Sequence, residues 1–136
     1  MSKRILIVED EDDNLMVITH ILQLVLEQQN LFFARNGHEA IRLAYEHQPD
    51  IILMDLTIPK LSGWETARSL KSDDRFRNTP ILALTAHAMT DDRAKALAAG
   101  CDDYFSKPID VDAFVKFMEP YLSDTSDKDD ASGNEE

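Results

Sequence analysis

The chain is poor in cysteine and in long apolar runs. A single cysteine, Cys101, among 136 residues rules out an internal disulfide framework. The aspartates that follow Cys101 disfavour a reactive, low-pKa thiol, so we expect a small buried side chain there. The apolar runs are far too short to span a membrane, and the one near the N-terminus does not fit a signal peptide. A cytoplasmic protein without membrane contacts is therefore expected.

Positive charge is also scarce, since 14 Lys and Arg residues face 26 Asp and Glu residues and the net charge is −12 at pH 7. Without a basic stripe, binding to nucleic acid through its phosphates is not expected. The length suits one domain, predicted over residues 1–122. The segment 123–136 is acidic and almost free of apolar residues, which predicts a disordered tail, with a partner-binding tail as the alternative.

The apolar pattern alternates between short buried runs and amphipathic stretches. Five strands are predicted at Arg4–Val8, Leu31–Ala34, Ile51–Met54, Ile81–Leu84 and Asp103–Ser106. The first, third and fourth are nearly continuous apolar runs, which is typical of parallel strands buried on both faces. The pattern therefore predicts an α/β fold of the (βα)₅ type.

Helix-capping residues follow the predicted strands. The predicted starts are Asp13, Asn36-Gly37, the capping box that begins at Ser62, Thr90 and Asp110. Pro49 and Gly100 are expected to end the second and fourth helices. The buried stripe of the first helix is predicted to be Leu15, Ile18, Leu22, Val25 and Leu26. That of the last helix is predicted to be Val111, Phe114, Val115, Met118, Tyr121 and Leu122, with Phe117 off the stripe and exposed.

Polar side chains stand where the predicted strands end. They are Glu9 and Asp10 after the first strand, Asp55 after the third, Thr85 after the fourth and Lys107 after the fifth. Parallel sheets of this type bind ligands at the carboxyl ends of their strands. A carboxylate such as Asp55 at the end of a buried strand is costly unless it faces a cleft, a metal or a cation. We therefore expect these residues to form one site.

The acids of this site predict a bound divalent cation. Repulsion among Glu9, Asp10 and Asp55 would be relieved by a hard cation with oxygen ligands, such as Mg²⁺. Together with Lys107 and the hydroxyl of Thr85, the cation would form an electrostatic cradle for a phosphoryl group. Structural roles remain open at this point, namely a strand exit and helix cap for the acid pair, an ion pair for Lys107 and a turn for Thr85.

These residues resemble the receiver domain of two-component response regulators. The resemblance covers about residues 3–122 and rests on the segments 5–11, 54–59 with Gly63 eight residues past the acid, 84–86 and 104–108. It implies a flavodoxin-like, doubly wound sheet with the strand order 2-1-3-4-5. Because no output domain follows Leu122, it also implies a stand-alone, chemotaxis-regulator-like receiver.

The resemblance implies a phospho-accepting switch that catalyses only its own phosphorylation and dephosphorylation. Asp55 would accept a phosphoryl group from a phosphohistidine of a sensor histidine kinase or a histidine phosphotransfer protein. Mg²⁺ would be the cofactor, bound by Asp10, by Asp55 and by the backbone carbonyl of Thr57, with Glu9 acting through water. The family's side chain varies at the position of Thr57 and helps to set the phosphoryl lifetime.

Further roles follow from the same resemblance. Thr85 and Lys107 would contact the phosphoryl group, and Tyr104 would be an aromatic switch coupled to Thr85. The Lys107–Pro108 peptide would be cis. A downstream protein would bind the face built from the helix 90–99, the strand 103–106 and the helix 110–122, and a homodimer is left open.

Three other interpretations remain open from the sequence. A haloacid-dehalogenase-like phosphatase also uses a strand-end aspartate with Mg²⁺, although Asp10 and Asp12 fit its first-strand motif poorly. A flavodoxin-like carrier shares the topology, but the acidic loop after the first strand would repel the phosphate of FMN. A receiver-like binding module could lack phosphorylation, which the intact set of site residues disfavours.

Overall fold

One sheet of five parallel strands organises the described part of the chain, which comprises residues 3–56, 63–85, 94 and 97–123 of this computed structural model. In chain order the strands are β1 (Arg4–Val8), β2 (Asn30–Ala34), β3 (Ile51–Asp55), β4 (Ile81–Thr85) and β5 (Asp103–Ser106). Their order in the sheet is β2-β1-β3-β4-β5, which confirms the expected flavodoxin-like topology.

The helices connect successive strands. They are α1 (Asp12–His20), continued by a π-helical segment (Ile21–Val25), then α2 (Gly37–His47), α3 (Gly63–Lys71), a short 3₁₀ helix (Asp74–Phe76) and α4 (Val111–Leu122). None of the described helices is both long and apolar enough to cross a membrane. The predicted caps Ser62 and Thr90, most of the predicted helix 90–99, Thr57 and the tail beyond Ser123 lie outside the described residues.

The ends of β3 and β4 each extend one residue further than predicted. Asp55 is the last residue of β3 and is aligned with Leu84, while Thr85 is the last residue of β4 and is aligned with Ser106. Every residue of these two strands is buried. Both polar residues are therefore held inside the hydrogen-bonded sheet, where the backbone fixes the position of their side chains.

Two of the predicted helix caps are confirmed, and one is wrong. The side chains of Asn36 and Asp110 accept hydrogen bonds from the third residue after each, at 2.9 Å in both cases. The helix α1, however, begins at Asp12 with Glu11 as its N-cap, so Asp13 is not the cap. Asp12 and Asp13 instead lie in the first turn, where their negative charges stabilise the helix by interacting with the positive end of its dipole.

The π-helical segment changes the buried stripe of the first helix. The N–H of Leu26 donates to the carbonyl of Ile21 at 3.0 Å, so this turn contains one residue more than an α-helical turn. The extra residue rotates the side chains that follow. Ile21, at the start of this turn, is buried, whereas Val25, which was predicted to be buried, is 51% exposed as a result of the rotation.

The last helix, α4, packs on the sheet with a different set of side chains from the predicted set. Phe117 was expected to be exposed, but it is half-buried and its ring centre lies 5.1 Å from that of Phe105 in β5. Val111 was placed on the buried stripe and is 45% exposed. Contact with Phe105 of β5 therefore places Phe114, Phe117 and Tyr121 on the side of α4 that faces the sheet.

Cys101 is buried, as expected for a small core residue. Burial raises the pKa of its thiol to about 12, and the neighbouring charge of Asp102 adds to the rise. The raised pKa disfavours a reactive thiolate at neutral pH, in keeping with the expected small buried side chain.

Candidate functional site

Three charged side chains meet at the carboxyl edge of the sheet, namely those of Glu9, Asp55 and Lys107. They meet because each follows the alternation of side chains between the two faces of the sheet along its strand. The residues two positions before them are Ile7, Leu53 and Phe105, which share one core layer with α1 and α4. Side chains two residues apart in a strand point to the same face. The site residues therefore leave the sheet on the same side, directly beyond this core layer.

Lys107 connects the two buried acids of the site. Its Nζ lies 3.0 Å from Glu9 Oε1 and 3.1 Å from Asp55 Oδ2. The side chains of Glu9 and Asp55 are 0% and 3% exposed, and that of Lys107 is 12% exposed. One ammonium group thus faces two carboxylates in a poorly solvated position, which leaves the site short of positive charge.

This imbalance changes the protonation of the site. Burial and, next to it, the charge of Asp55 raise the pKa of Glu9 to about 7, although the hydrogen bond and the charge of Lys107 lower it. Burial lowers the pKa of Lys107, but its hydrogen bond to Glu9 and the charges of Asp55 and Glu9 outweigh burial, so this pKa is raised overall. Lys107 is therefore cationic near neutral pH, and Glu9 keeps its proton to a higher pH than an exposed glutamate does.

The acids also form a group suited to a metal ion. Glu9, Asp10 and Asp55 each offer a carboxylate oxygen, and these oxygens lie within 4.8 Å of one another. They line an open cleft of about 660 Å³, and the other lining residues are Glu11, Asn14, Lys107 and Pro108. Hard oxygen donors beside open space for waters fit Mg²⁺, which usually keeps several waters and takes one or two carboxylates.

Thr85 and Tyr104 lie on the opposite face of the sheet from Lys107. Tyr104 is aligned with Ala83, and both pack in the core layer shared with α2 and α3. Thr85 follows Ala83 by two residues, so its side chain points to that same face. Its backbone carbonyl accepts a hydrogen bond from the N–H of Lys107 at 2.7 Å. The predicted switch pair is therefore on one face, and its movement stays a prediction.

Gly63 fits closely against the end of β3. A Cβ atom at this position would lie 2.5 Å from the carbonyl oxygen of Asp55 and 2.6 Å from Leu56 Cα. Both contacts are with backbone atoms, which cannot move aside as a flexible side chain can. The glycine eight residues past Asp55 thus allows the start of α3 to pack directly behind the site.

Two residues near the cleft were not predicted from the sequence. Arg35 Nη1 donates to the carbonyl oxygen of Asp10 at 2.9 Å, and Nη2 pairs with the carboxylate of Asp12. Asn14 lines the cleft and donates to the carboxylate of Glu11. The spacing of Glu11 and Asn14 on a helix could have revealed their contact. The contact of Arg35 joins two loops distant in sequence, and no local pattern indicates it.

Two other site predictions concern the backbone. The Lys107–Pro108 peptide bond is cis, as predicted. The carbonyl of Thr57, predicted as a metal ligand, lies outside the described residues. Of the predicted site residues that the structure describes, Glu9, Asp10, Asp55 and Lys107 line one cleft. Thr85 ends β4 on the opposite face of the sheet, and Tyr104 lies in β5 behind the edge of the sheet.

Comparison with known proteins agrees with this fold. The family model of the response regulator receiver domain matches residues 5–119. The chain is 40% identical over 124 residues to the polar-differentiation response regulator DivK of Brucella anthropi, an alignment that covers 91% of this chain and 99% of the relative.

Two solved receiver domains are also similar. One belongs to a sensor histidine kinase of Pseudomonas aeruginosa and holds a magnesium ion in its active-site cleft. It has a TM-score of 0.80 and 33% sequence identity to this chain, and the alignment covers 89% of this chain and 98% of the Pseudomonas chain. The other belongs to Ssk1 of Saccharomyces cerevisiae, solved with the histidine phosphotransfer protein Ypd1. It has a TM-score of 0.80 and 31% identity and covers 88% of each chain.

The chain belongs to the response regulator receiver domain family. It is a phospho-accepting switch of two-component or phosphorelay signalling, in which receiver domains accept a phosphoryl group on an aspartate. This membership decides against the phosphatase and flavin-carrier interpretations.

Proposed function

We propose that Asp55 is the phosphoacceptor and that its donor is a phosphohistidine of a sensor histidine kinase or a histidine phosphotransfer protein. The observation that carries this proposal is the buried carboxylate of Asp55 at the end of β3, in an open cleft and 3.1 Å from the ammonium of Lys107. The donor class is supported by the similar Ssk1 receiver, which was solved with such a phosphotransfer protein.

The reaction requires a nucleophile and a means of stabilising the charge that is transferred. A carboxylate oxygen of Asp55 attacks phosphorus as the bond from phosphorus to the histidine nitrogen breaks, so the phosphoryl group passes from nitrogen to oxygen. Phosphoryl transfer depends mainly on positioning and electrostatic stabilisation. Lys107 provides a fixed cation beside the acceptor, and the hydroxyl of Thr85 provides a donor for a phosphoryl oxygen. The same residues would serve in the protein's own dephosphorylation.

Mg²⁺ is the cofactor in this proposal. Asp10 and Asp55 would bind it, with the backbone carbonyl of Thr57 and with Glu9 through a water molecule. The all-oxygen group of Glu9, Asp10 and Asp55 supports this assignment, as does the magnesium ion in the similar Pseudomonas receiver. When bound, Mg²⁺ supplies positive charge that neutralises the transferring phosphoryl group.

The output is proposed to be a protein contact on the face built from the segments 90–99, 103–106 and 110–122. Tyr104 and Thr85 share one side of the sheet, so a change at the acceptor has a short path to β5. A downstream protein and a second copy of this chain are the alternative occupants of that face. The distinction between them requires measurements on the phosphorylated protein.

Intact-mass spectrometry tests the acceptor. With acetyl phosphate and Mg²⁺, the wild-type chain should gain the mass of one phosphoryl group, and Asp55→Asn should gain none. Asp50→Asn is the matched control, because Asp50 precedes the same strand at its opposite end and is exposed. Undiminished phosphorylation of Asp55→Asn would refute the assignment. A wild-type chain that gains no phosphoryl group would favour the non-phosphorylated binding module.

A further inference from the structure

Arg35 links the end of β2 to the acidic loop between β1 and α1. The backbone pairing of β1 with β2 continues one step past the strands, since the N–H of Glu9 donates to the carbonyl of Ala34 at 2.9 Å. Arg35 follows Ala34 directly and therefore lies beside this loop. Its guanidinium donates to the carbonyl oxygen of Asp10 at 2.9 Å and pairs with the carboxylate of Asp12.

The backbone of Arg35 is itself fixed at the start of α2. Its N–H donates to Glu39 Oε1 at 2.7 Å, while the N–H of Glu39 donates to Asn36 Oδ1 at 2.9 Å. This reciprocal pattern is a capping arrangement that satisfies donors at the beginning of the helix. The guanidinium of Arg35 thus extends from an anchored backbone position.

The contact has a direct relation to the metal ligands. Asp10 presents its carboxylate to the cluster with Glu9 and Asp55, while its carbonyl oxygen is held by Arg35. Lys107 contacts the acidic segment from the cleft side and Arg35 contacts it from the β2 side. A planar guanidinium that binds residues 10 and 12 together restrains the shape of the loop in a way that a single point charge does not.

We infer that Arg35 is a positioning residue for the metal site, one that keeps the carboxylate of Asp10 beside those of Asp55 and Glu9. This inference rests on the proposed Mg²⁺ site. Arg35 would touch neither the metal nor the phosphoryl group and would act through the backbone of Asp10.

The effect of removing Arg35 on Mg²⁺ affinity distinguishes positioning from simple charge. Arg35 carries a positive charge near a site for a dication, so on charge alone its neutralisation would tighten Mg²⁺ binding. If Arg35 orients Asp10, its loss should weaken binding instead. Residues that orient metal ligands typically contribute about 10–100-fold in metal affinity. The two explanations therefore predict changes of opposite sign.

The experiment is a Mg²⁺ titration followed by the amide NMR resonances of residues 9–13 in the full chain. Arg35→Gln should raise the Kd about tenfold, and Arg35→Lys, which keeps the charge but loses the planar fork, should also bind more weakly than wild type. Arg42→Gln is the control, because it removes the same charge from α2 and contacts Glu39 and Glu46 but not the loop. It should bind Mg²⁺ as the wild type does.

Each outcome of the titration decides one question. An unchanged or lower Kd for Arg35→Gln, with Mg²⁺ bound by the wild type, would overturn the inference and leave the proposed function intact. A wild type that shows no Mg²⁺-dependent shifts would overturn the proposed metal site itself. Equal weakening by Arg42→Gln would show that the effect does not depend on the contact between Arg35 and the loop, and would also overturn the positioning role. If Arg35→Gln does not fold, the Kd of Arg35→Lys decides in its place.

Discussion

The ammonium of Lys107 lies 3.1 Å from the carboxylate of Asp55, although β4 lies between β3, which ends at Asp55, and β5, which Lys107 follows. The contact is formed because both side chains leave the sheet on the same face and the lysine is long enough to cross the end of β4. Glu9 in turn lies 3.0 Å from the same ammonium. One cation therefore links the ends of three strands.

Replacement of Lys107 by Met should destabilise the metal-free protein. The change leaves two buried carboxylates without their cation, and breaking a buried ion pair costs about 3 kcal/mol or more. Urea denaturation at pH 8 should show this loss, and Mg²⁺ should reverse part of it by supplying positive charge to the same acids. Lys116→Met, on the exposed side of α4, is the control with the same change in charge. Equal stability of the Lys107 and Lys116 variants would contradict this account of the site.

Glu9 should make the stability of the metal-free protein depend on pH. Burial raises its pKa in the folded state from the ordinary value of 4.5 to about 7. In this interval the folded chain retains a proton that the unfolded chain has released, so the contribution of Glu9 is fully present below about pH 4.5 and is lost as the pH rises through about 7. The free energy of unfolding of the wild type should therefore fall relative to Glu9→Gln over this range.

Urea midpoints in metal-free buffer check the effect of Glu9. The quantity to compare is the difference in unfolding free energy between the wild type and Glu9→Gln at each pH, because other groups titrate in both proteins. Glu46→Gln, at an exposed position on α2, should keep a constant difference from the wild type. A constant difference for Glu9→Gln would show that this acid has no raised pKa in the folded state.

Much of this fold and site could be predicted because the controlling features are local. The apolar runs of β1, β3 and β4 fall within one residue of their predicted bounds, since strands buried on both faces leave few polar positions inside them. The convergence of Asp55 and Lys107 follows from parallel pairing, which places the carboxyl ends of all strands at one edge of the sheet.

The wrong predictions concern features that depend on contacts between elements. The exposure of Val25 arises from a π-helical turn, and a stripe drawn with 3.6 residues per turn does not anticipate the additional residue. The half-burial of Phe117 depends on the ring of Phe105 in another element. Arg35 was missed for the same reason, because its importance arises from a loop about 25 residues earlier in the chain.

Gly63→Ala should disturb the acceptor site from behind. The new methyl group would meet the backbone of Asp55 and Leu56 at 2.5–2.6 Å, so either α3 or the end of β3 must shift. Inserting a group into a tightly packed position typically costs about 1–3 kcal/mol. Thermal unfolding should show this loss, and phosphorylation by acetyl phosphate should slow because Asp55 is displaced.

Ser69→Ala, at an exposed position on the same helix, is the control for Gly63→Ala. A Gly63→Ala protein with wild-type stability and phosphorylation rate would show that the packing tolerates a methyl group.

The response to phosphorylation should extend from the acceptor through β5 to α4. Phe105 lies two residues before Lys107 and contacts both Phe114 and Phe117 of α4, with ring centres 5.3 and 5.1 Å apart. On the other face of β5, Tyr104 lies in the layer of Ala83 and can follow a movement of Thr85. A new phosphoryl charge that attracts Lys107 would therefore act on both faces of one strand.

Lys107→Ala should still accept a phosphoryl group but fail to transmit the change. Because Asp55 supplies the nucleophile, acceptance requires the carboxylate, whereas transmission requires the side chain that ties the phosphoryl charge to β5. Amide chemical shifts before and after phosphorylation measure this. In the wild type these shifts should change in the segments 103–106 and 110–122, and in Lys107→Ala they should change only around Asp55.

Lys116→Ala is the control and should behave as the wild type, since Lys116 is exposed on α4 and does not touch the acids. Wild-type changes confined to the residues around Asp55 would rule out a switch on this face.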